Sequence, residues 1–305
     1  CNPFFLFAMC SSPHGPWTKG DTTQYPSNEV VLAPNLINTK ETRNAFSAYL
    51  AEITYFDKQV GQILSLLESS NCSNNTVVIV LGEHGSLFPF GKWTCYDTGL
   101  QSAMIVKYPN HVKAGSETDA MVEYTDMVPT ILDIAGIEPV IRLDGKSFKQ
   151  VIYGNTGQHK NYVFGVHTTR GILAATQGYG IRSVRNDSLK YILNLFPENQ
   201  FENLLLVNPS RLPDRLSYLK FMVSWRQAAE HDNKAKYIFD RYRQRSNIEL
   251  YNIANDPYEL VNLALDPDYG YIMNQLHKKL MNWMDSQGDK GRITEMKVDI
   301  RPLKN

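Results

Sequence analysis

The sequence has no surplus of either charge, with 31 Lys and Arg set against 31 Asp and Glu. That balance excludes the overall basic footprint of a nucleic-acid binder and an acidic tail, although a local basic cluster can still read an anionic substrate. No apolar run approaches the ~20 residues that a membrane-spanning helix needs. Cysteine is scarce. Cys1, Cys10, Cys72 and Cys95 show no C-x-x-C spacing, so neither a zinc site nor a thioredoxin-like motif is supported, and the four are not expected to hold a metal together. An initiating methionine is lacking too. Cys1 leads directly into Phe4-Phe5-Leu6-Phe7-Ala8-Met9, and chains seldom open on what reads as a buried strand, so truncation or processing is expected. No leader peptide is in view.

What is present reads as two parts. Residues 4–9 form a short continuous apolar run, the pattern of a parallel strand covered on both faces. Over 41–69 the residues Phe46, Leu50, Ile53, Val60, Ile63, Leu64 and Leu67 recur at mostly three- and four-residue steps, which predicts a helix. A polar stretch, 71–75, ends it. Residues 77–81 and 103–106 read as two more strands, and 126–135 as a helix stopped by Gly136. Strands alternating with helices predict an α/β sheet with helices on both faces. The second half differs. Residues 162–166 read as a strand, 181–184 and 189–193 as a hairpin around Arg185-Asn186-Asp187-Ser188, 249–253 as a strand, and 269–285 as an amphipathic helix. This is the composition of a small α+β subdomain with an antiparallel sheet and a terminal helix. The boundary falls in the Gly/Asn/Gln-rich stretch 154–160, dividing 1–155 from 156–305. Triplets at Asn71-Cys72-Ser73, Asn74-Asn75-Thr76 and Asn186-Asp187-Ser188 have the form of glycosylation acceptors, which is compatible with export.

Ligands of open α/β sheets gather beyond the carboxyl ends of the strands, and three loops there carry chemistry. They are Ser11-Ser12-Pro13-His14-Gly15-Pro16-Trp17, Gly82-Glu83-His84-Gly85, and Gly91-Lys92-Trp93-Thr94-Cys95-Tyr96-Asp97. Each has a plain alternative. His14 can be an ordinary loop residue, Glu83-His84 a solvated turn, and Lys92 a surface lysine. Their joint placement near strand ends raises the functional reading without naming a reaction.

Taken in order, these segments resemble the sulfatase family. Pro3-Phe4-Phe5-Leu6-Phe7 with Pro13-His14-Gly15-Pro16 is similar to that family's strand and histidine loop, and 77–81 with Glu83-His84-Gly85 to its strand ending in an acidic residue. Gly91-Lys92-Trp93-Thr94-Cys95-Tyr96-Asp97-Thr98-Gly99 resembles the lysine motif. Asp126-Met127-Val128-Pro129-Thr130-Ile131-Leu132 resembles the following helix, and Glu249-Leu250-Tyr251-Asn252 with Asn255-Asp256-Pro257-Tyr258-Glu259 and Asn262-Leu263 the carboxy-terminal signature. Arg182-Ser183-Val184 looks most like the heparan N-sulfatase (N-sulfoglucosamine sulfohydrolase)-like branch.

The resemblance implies an alkaline-phosphatase-like fold, present in part: the carboxy-terminal half of the catalytic α/β domain plus the α+β subdomain. It implies hydrolysis of a sulfate ester or sulfamate on a glycosaminoglycan-like sugar, by an exported protein that needs no nucleic acid and no membrane span. Homo-oligomerisation stays open. Glu83 and His84 would be ligands of one calcium ion, Lys92 would neutralise charge on the sulfate, and His14 would stand near the leaving group. His167, Arg170 and Arg182 would recognise the sugar, with guanidinium forks suited to sulfate or carboxylate oxygens. The resemblance also shows departures. His84 stands where the family usually has an amide, which puts the metal's identity in question. The Cys-x-Pro-x-Arg motif that supplies the formylglycine nucleophile does not occur, since Cys1-Asn2-Pro3 lacks the arginine. The adjacent aspartates of the calcium site are missing as well. Residues 1–305 alone are therefore expected to be inactive. A phosphoric or phosphonic ester hydrolase on the same scaffold, or a non-catalytic sugar-binding remnant, are the alternatives.

Overall fold

A computed structural model of the chain describes residues 3–303, so Cys1 and its expected lack of metal-binding lie outside the described residues. The chain runs through helix α1 (Lys40–Ser69), strand β1 (Val78–Leu81), the short α2 (Asp97–Leu100) and strand β2 (Met104–Lys107). Helices α3 (Met127–Ala135) and α4 (Lys149–Ile152) follow, then strands β3 (Val163–His167), β4 (Ile181–Arg185) and β5 (Leu189–Asn194). Helices α5 (Phe221–His231) and α6 (Asn233–Arg243) precede strand β6 (Ile248–Asn252), and α7 (Gly270–Ser286) and α8 (Arg292–Glu295) close the order.

Helix α1 begins where Thr39, in extended backbone, accepts the Thr42 amide on its hydroxyl at 3.1 Å. Its inner face is tied as well as packed. Thr42 receives the Trp225 indole N–H of α5 at 2.8 Å, and buried Glu52 accepts Ser12 Oγ at 2.8 Å and the Lys19 amide at 2.9 Å. Those last two bonds fasten the His14 loop to α1. Helix α3 stops at Gly136, whose φ of 69° is the left-handed cap expected of that glycine.

The strands pair differently from the sequence reading. β1 and β2 form an antiparallel ladder of two strands, and residues 4–9 join no ladder. Phe5 and Phe7 are each 72% exposed. An apolar run becomes a parallel strand only beside a partner edge, and none of the described residues supplies one. In the second part β3-β4-β5-β6 is an antiparallel sheet in that order, and the hairpin falls where its turn residues place it. Asn186 Oδ1 accepts the Ser188 and Leu189 amides at 2.9 and 2.7 Å and shapes that turn.

Register assigns the two faces of this sheet. His167, Ile181 and Asn194 stand opposite one another, as do Ser183, Ile192 and Glu249, and as do Arg185, Lys190 and Tyr251. This face meets the loop that follows Lys92. The other face carries Val184, Tyr191 and Leu250, which pack with Leu276, Leu280 and Met284 of α7. Helices α5 and α6 were not legible beforehand. Trp225 and Tyr242 bury them in the larger cluster with Phe88, Phe90 and Tyr96, but their mean polarity hides the stripe. No helix of the described residues is long and apolar enough to cross a membrane.

Candidate active site

The Glu83 loop leaves β1 with Gly82 N–H donating to Ala103 O at 2.9 Å, and returns with Gly85 N–H donating to Gly99 O at 3.0 Å. Gly85 is required here because a Cβ would lie 1.7 Å from Thr98 O. Between those clamps Glu83 is exposed, with 83% of its side chain open, and its Oε2 stands 3.4 Å from His84 Nε2. The other ring nitrogen of His84, Nδ1, is 2.7 Å from Gly85 O. An N–H is needed to bond a carbonyl, so the proton belongs on Nδ1 and the Nε2 lone pair is left beside Glu83. A carbonyl on the rear nitrogen is the usual support of a metal-bound imidazole, and two ligands of one cation stand roughly 3 Å apart.

Two donors do not fill a calcium sphere. A hard cation of that size takes about 6–8 oxygens, and among the described residues no group of three or more His, Cys, Asp or Glu could hold a metal. The pair fits as part of a site.

Lys92 sits in a strained hairpin of backbone. Its amide donates to Ser86 O at 2.7 Å, and Phe90 and Trp93 on either side hold φ of 66° and 69°. Left-handed backbone at a non-glycine costs about 1–3 kcal/mol, and here burial of both aromatic rings maintains it. Burial lowers the basicity of Lys92, the charge of Glu83 opposes that shift, and the charge of Arg301 adds to it. His167, at the end of β3, is held neutral, its pKa lowered to about 4 chiefly by burial and then by the charges of Arg245, Arg182 and Lys92. Its Nε2 is buried and has no hydrogen-bond partner. Glu83, His84, Lys92 and His167 thus share one electrostatic neighbourhood.

The other candidates are placed differently. His14 is exposed, with Nδ1 2.8 Å from Gly15 O, and no interaction among the described residues links it to Glu83, His84 or Lys92. Its loop and the Lys92 loop are joined one step back, where Trp17 stacks on Phe88 with centroids 5.2 Å apart. Arg170 reaches solvent and, among the described residues, pairs with Asp299 at 3.8 Å. Arg182 is 1% exposed and its fork is spent internally. Nη2 donates to Glu295 at 2.9 Å, Nη1 to the His167 carbonyl at 3.2 Å, and Nε to Asp289. Glu295 in turn accepts the Thr169 amide and hydroxyl at 3.0 and 2.9 Å. Arg182 thereby holds the segment that presents His167 and does not open onto its mouth.

Sequence reasoning passed over two contributors. Arg301 arrives through a parallel bridge with Leu173 and a bond from the Ala174 amide to its carbonyl at 2.9 Å. Nothing in the local sequence signals it. Tyr96 and Asp97, which close the Lys92 motif, are latched to the second sheet. Tyr96 Oη donates to Glu249 at 2.6 Å, Lys190 Nζ to Asp97 at 2.6 Å, and Arg185 also pairs with Asp97.

The α/β part, its loops at strand ends and the antiparallel subdomain make up a partial alkaline-phosphatase-like fold. One solved neighbour, bound to its substrate D-glucosamine-2-N,6-O-disulfate, superposes with a TM-score of 0.59 at 20% identity over 82% of this chain and 42% of its own. The sulfatase family model matches residues 2–137, and the model for the carboxy-terminal part of N-sulphoglucosamine sulphohydrolase matches residues 82–205. The chain belongs to the sulfatase family. An ulvan-active sulfatase of Formosa agariphila is 30% identical over 94% of this chain and 53% of its own length. Human N-sulphoglucosamine sulphohydrolase is 27% identical over 83% of this chain and 50% of its own length. The chain spans about half the length of the curated relatives it matches.

Proposed function

We propose that the chain supplies the leaving-group and saccharide side of a sulfatase active site, for a sulfate ester or sulfamate on a glycosaminoglycan-like sugar. The observation that carries this reading is the joining of Lys92, Glu83, His84 and His167 in one neighbourhood beyond β1. Lys92 stabilises negative charge on the transferring sulfate and the departing oxygen, and does so more strongly for being half-buried. His14 is the proton donor at the leaving group. Neutral His167 offers a hydrogen bond to a sugar hydroxyl, and Arg170 and Arg301 stand at the rim for a second anionic substituent. Glu83 and His84 contribute two ligands to a divalent cation, taken as calcium, which polarises sulfate oxygens when bound.

The nucleophile, expected as formylglycine, is assigned to sequence other than 1–305. In support, Cys95 is a poor candidate. It is buried, its thiol pushed up to about 11. Export follows from the family reading. The phosphonic or phosphoric ester alternative is separated by substrate preference.

The test has two arms. Purified 1–305 should release no sulfate above a Lys92→Ala control, and robust turnover lost in that control overturns the nucleophile assignment. Fused behind the amino-terminal half of the ulvan-active relative, the chain should release sulfate. In that fusion Lys92→Ala should lower kcat/KM by about 100-fold or more. Faster turnover of a phosphonate ester than of a sulfated sugar would reject the sulfatase reading.

A further inference from the structure

Arg245, between α6 and β6, is 4% exposed and forms neither a hydrogen bond nor an ion pair among the described residues. Aromatic rings enclose it. The guanidinium carbon lies 3.9 Å from the Phe201 centroid, 5.3 Å from that of Tyr96, 5.6 Å from Tyr242 and 5.8 Å from Tyr179. Ring faces attract a cation but do not replace the oxygen lone pairs that a guanidinium fork fits. Nε and Nη2 are sealed beneath these rings, which leaves Nη1 as the nitrogen with access.

Arg245 also lines a cavity of about 250 Å³ together with Arg241, Gln244, Ser246, Glu249 and Asn262. Glu249 on the same wall attracts Arg245 by its charge, but forms no ion pair with it. Both carboxylate oxygens are taken, Oε2 by Tyr96 at 2.6 Å and Tyr251 at 2.5 Å, and Oε1 by Asn194 at 2.6 Å. Two guanidinium groups face one committed carboxylate, so the lining keeps a positive excess. Ser246 stands exposed at the wall with a hydroxyl that makes no hydrogen bond.

We propose that this cavity binds a small oxyanion, with Arg245 and Arg241 as its cationic ligands and Ser246 as a hydroxyl donor. Buried cations need a counter-charge, and the cavity admits one where the fold sets a single carboxylate, Glu249, against two guanidinium groups. The same chemistry is offered by free inorganic sulfate and by the carboxylate of an acidic sugar. The site lies at the α6–β6 junction; it shares the Tyr96 ring with the Lys92 loop but takes its anion ligands from other residues, so it stands whether or not the sulfatase reading does.

The experiment measures melting temperature and calorimetric Kd of 1–305 with sodium sulfate and with sodium glucuronate, against sodium chloride at matched ionic strength. Sulfate should raise the melting temperature beyond chloride in wild type and in Lys92→Ala. Ser246→Asp places a carboxylate at the wall, and should raise the melting temperature without salt while weakening sulfate at least about tenfold. Arg245→Met should abolish the response. If that variant fails to fold, the exposed Ser246→Asp carries the test. A matching response to glucuronate assigns the anion to a sugar acid, and a response to sulfate alone assigns it to free anion. No response to either, or one that survives Ser246→Asp and disappears in Lys92→Ala, overturns the proposal.

Discussion

Residues 4–9 and the β4–β5 hairpin reverse the usual expectation of what lies inside. The first is apolar at all six positions and stands in solvent. The second carries Arg182, Ser183, Lys190 and Asn194, all buried. Hydrophobicity supplies the drive to burial, but the supply of a partner surface decides whether burial occurs. Residues 4–9 have no neighbouring strand among the described residues. β4 and β5 have strands on both sides, α7 beneath, and the Tyr96-Asp97 latch above, and their buried cations are paired, Lys190 with Asp97 and Arg182 with Asp289 and Glu295 beyond α7. Polar groups enter a core when their partners are already there.

The largest expected effect tests the polar half of that comparison. Arg182→Ala leaves Glu295 and Asp289 without their cation and frees the His167 carbonyl. Removing one partner of a buried pair costs about 3–5 kcal/mol, so urea unfolding should show a loss of that order. A loss below about 1 kcal/mol would mean the hairpin is held by its apolar contacts with α7 alone.

A smaller effect concerns pH. His167 is held neutral when folded, with its pKa lowered from 6.5 to about 4. Its contribution is therefore complete above the unfolded pKa and is lost as pH falls through the folded one, because the unfolded chain binds the proton first. Glu259 acts in the opposite sense, since burial raises its carboxyl to about 7 and stability is lost as pH rises from 4.5 through that value. Comparing wild type with His167→Gln at several pH values isolates the histidine. Between pH 6.5 and 4 wild type should lose about 2–3 kcal/mol more than the variant. Parallel curves would show that His167 is open to solvent.

The smallest effect tests the apolar half. Phe5→Ser with Phe7→Ser should alter the unfolding free energy of 1–305 by less than about 0.5 kcal/mol, as for other exposed positions. The same pair should reduce binding of a hydrophobic dye, because it breaks a contiguous apolar patch. A loss of several kcal/mol would show that the segment is packed in solution.

Local sequence determined a good deal. Helix α1 was legible from its three- and four-residue steps, the stop of α3 from Gly136, and the β4–β5 hairpin from its turn residues. These depend on backbone preferences and periodicity within one segment. The Glu83-His84 loop was legible for the same reason, since it lies within a few residues of the end of β1, and the Lys92 loop by its motif. Only the tertiary structure decided which candidates meet. It drew His167 and Arg301 toward Lys92 from far along the chain, left His14 and Arg170 in solvent, and committed Arg182 to Asp289 and Glu295. It also set Tyr96 and Asp97 against the second sheet and enclosed Arg245 in rings without an ion pair among the described residues. A side chain's chemistry is written in the sequence, but the distance and burial that give it a partner or a shifted charge are properties of the packed whole.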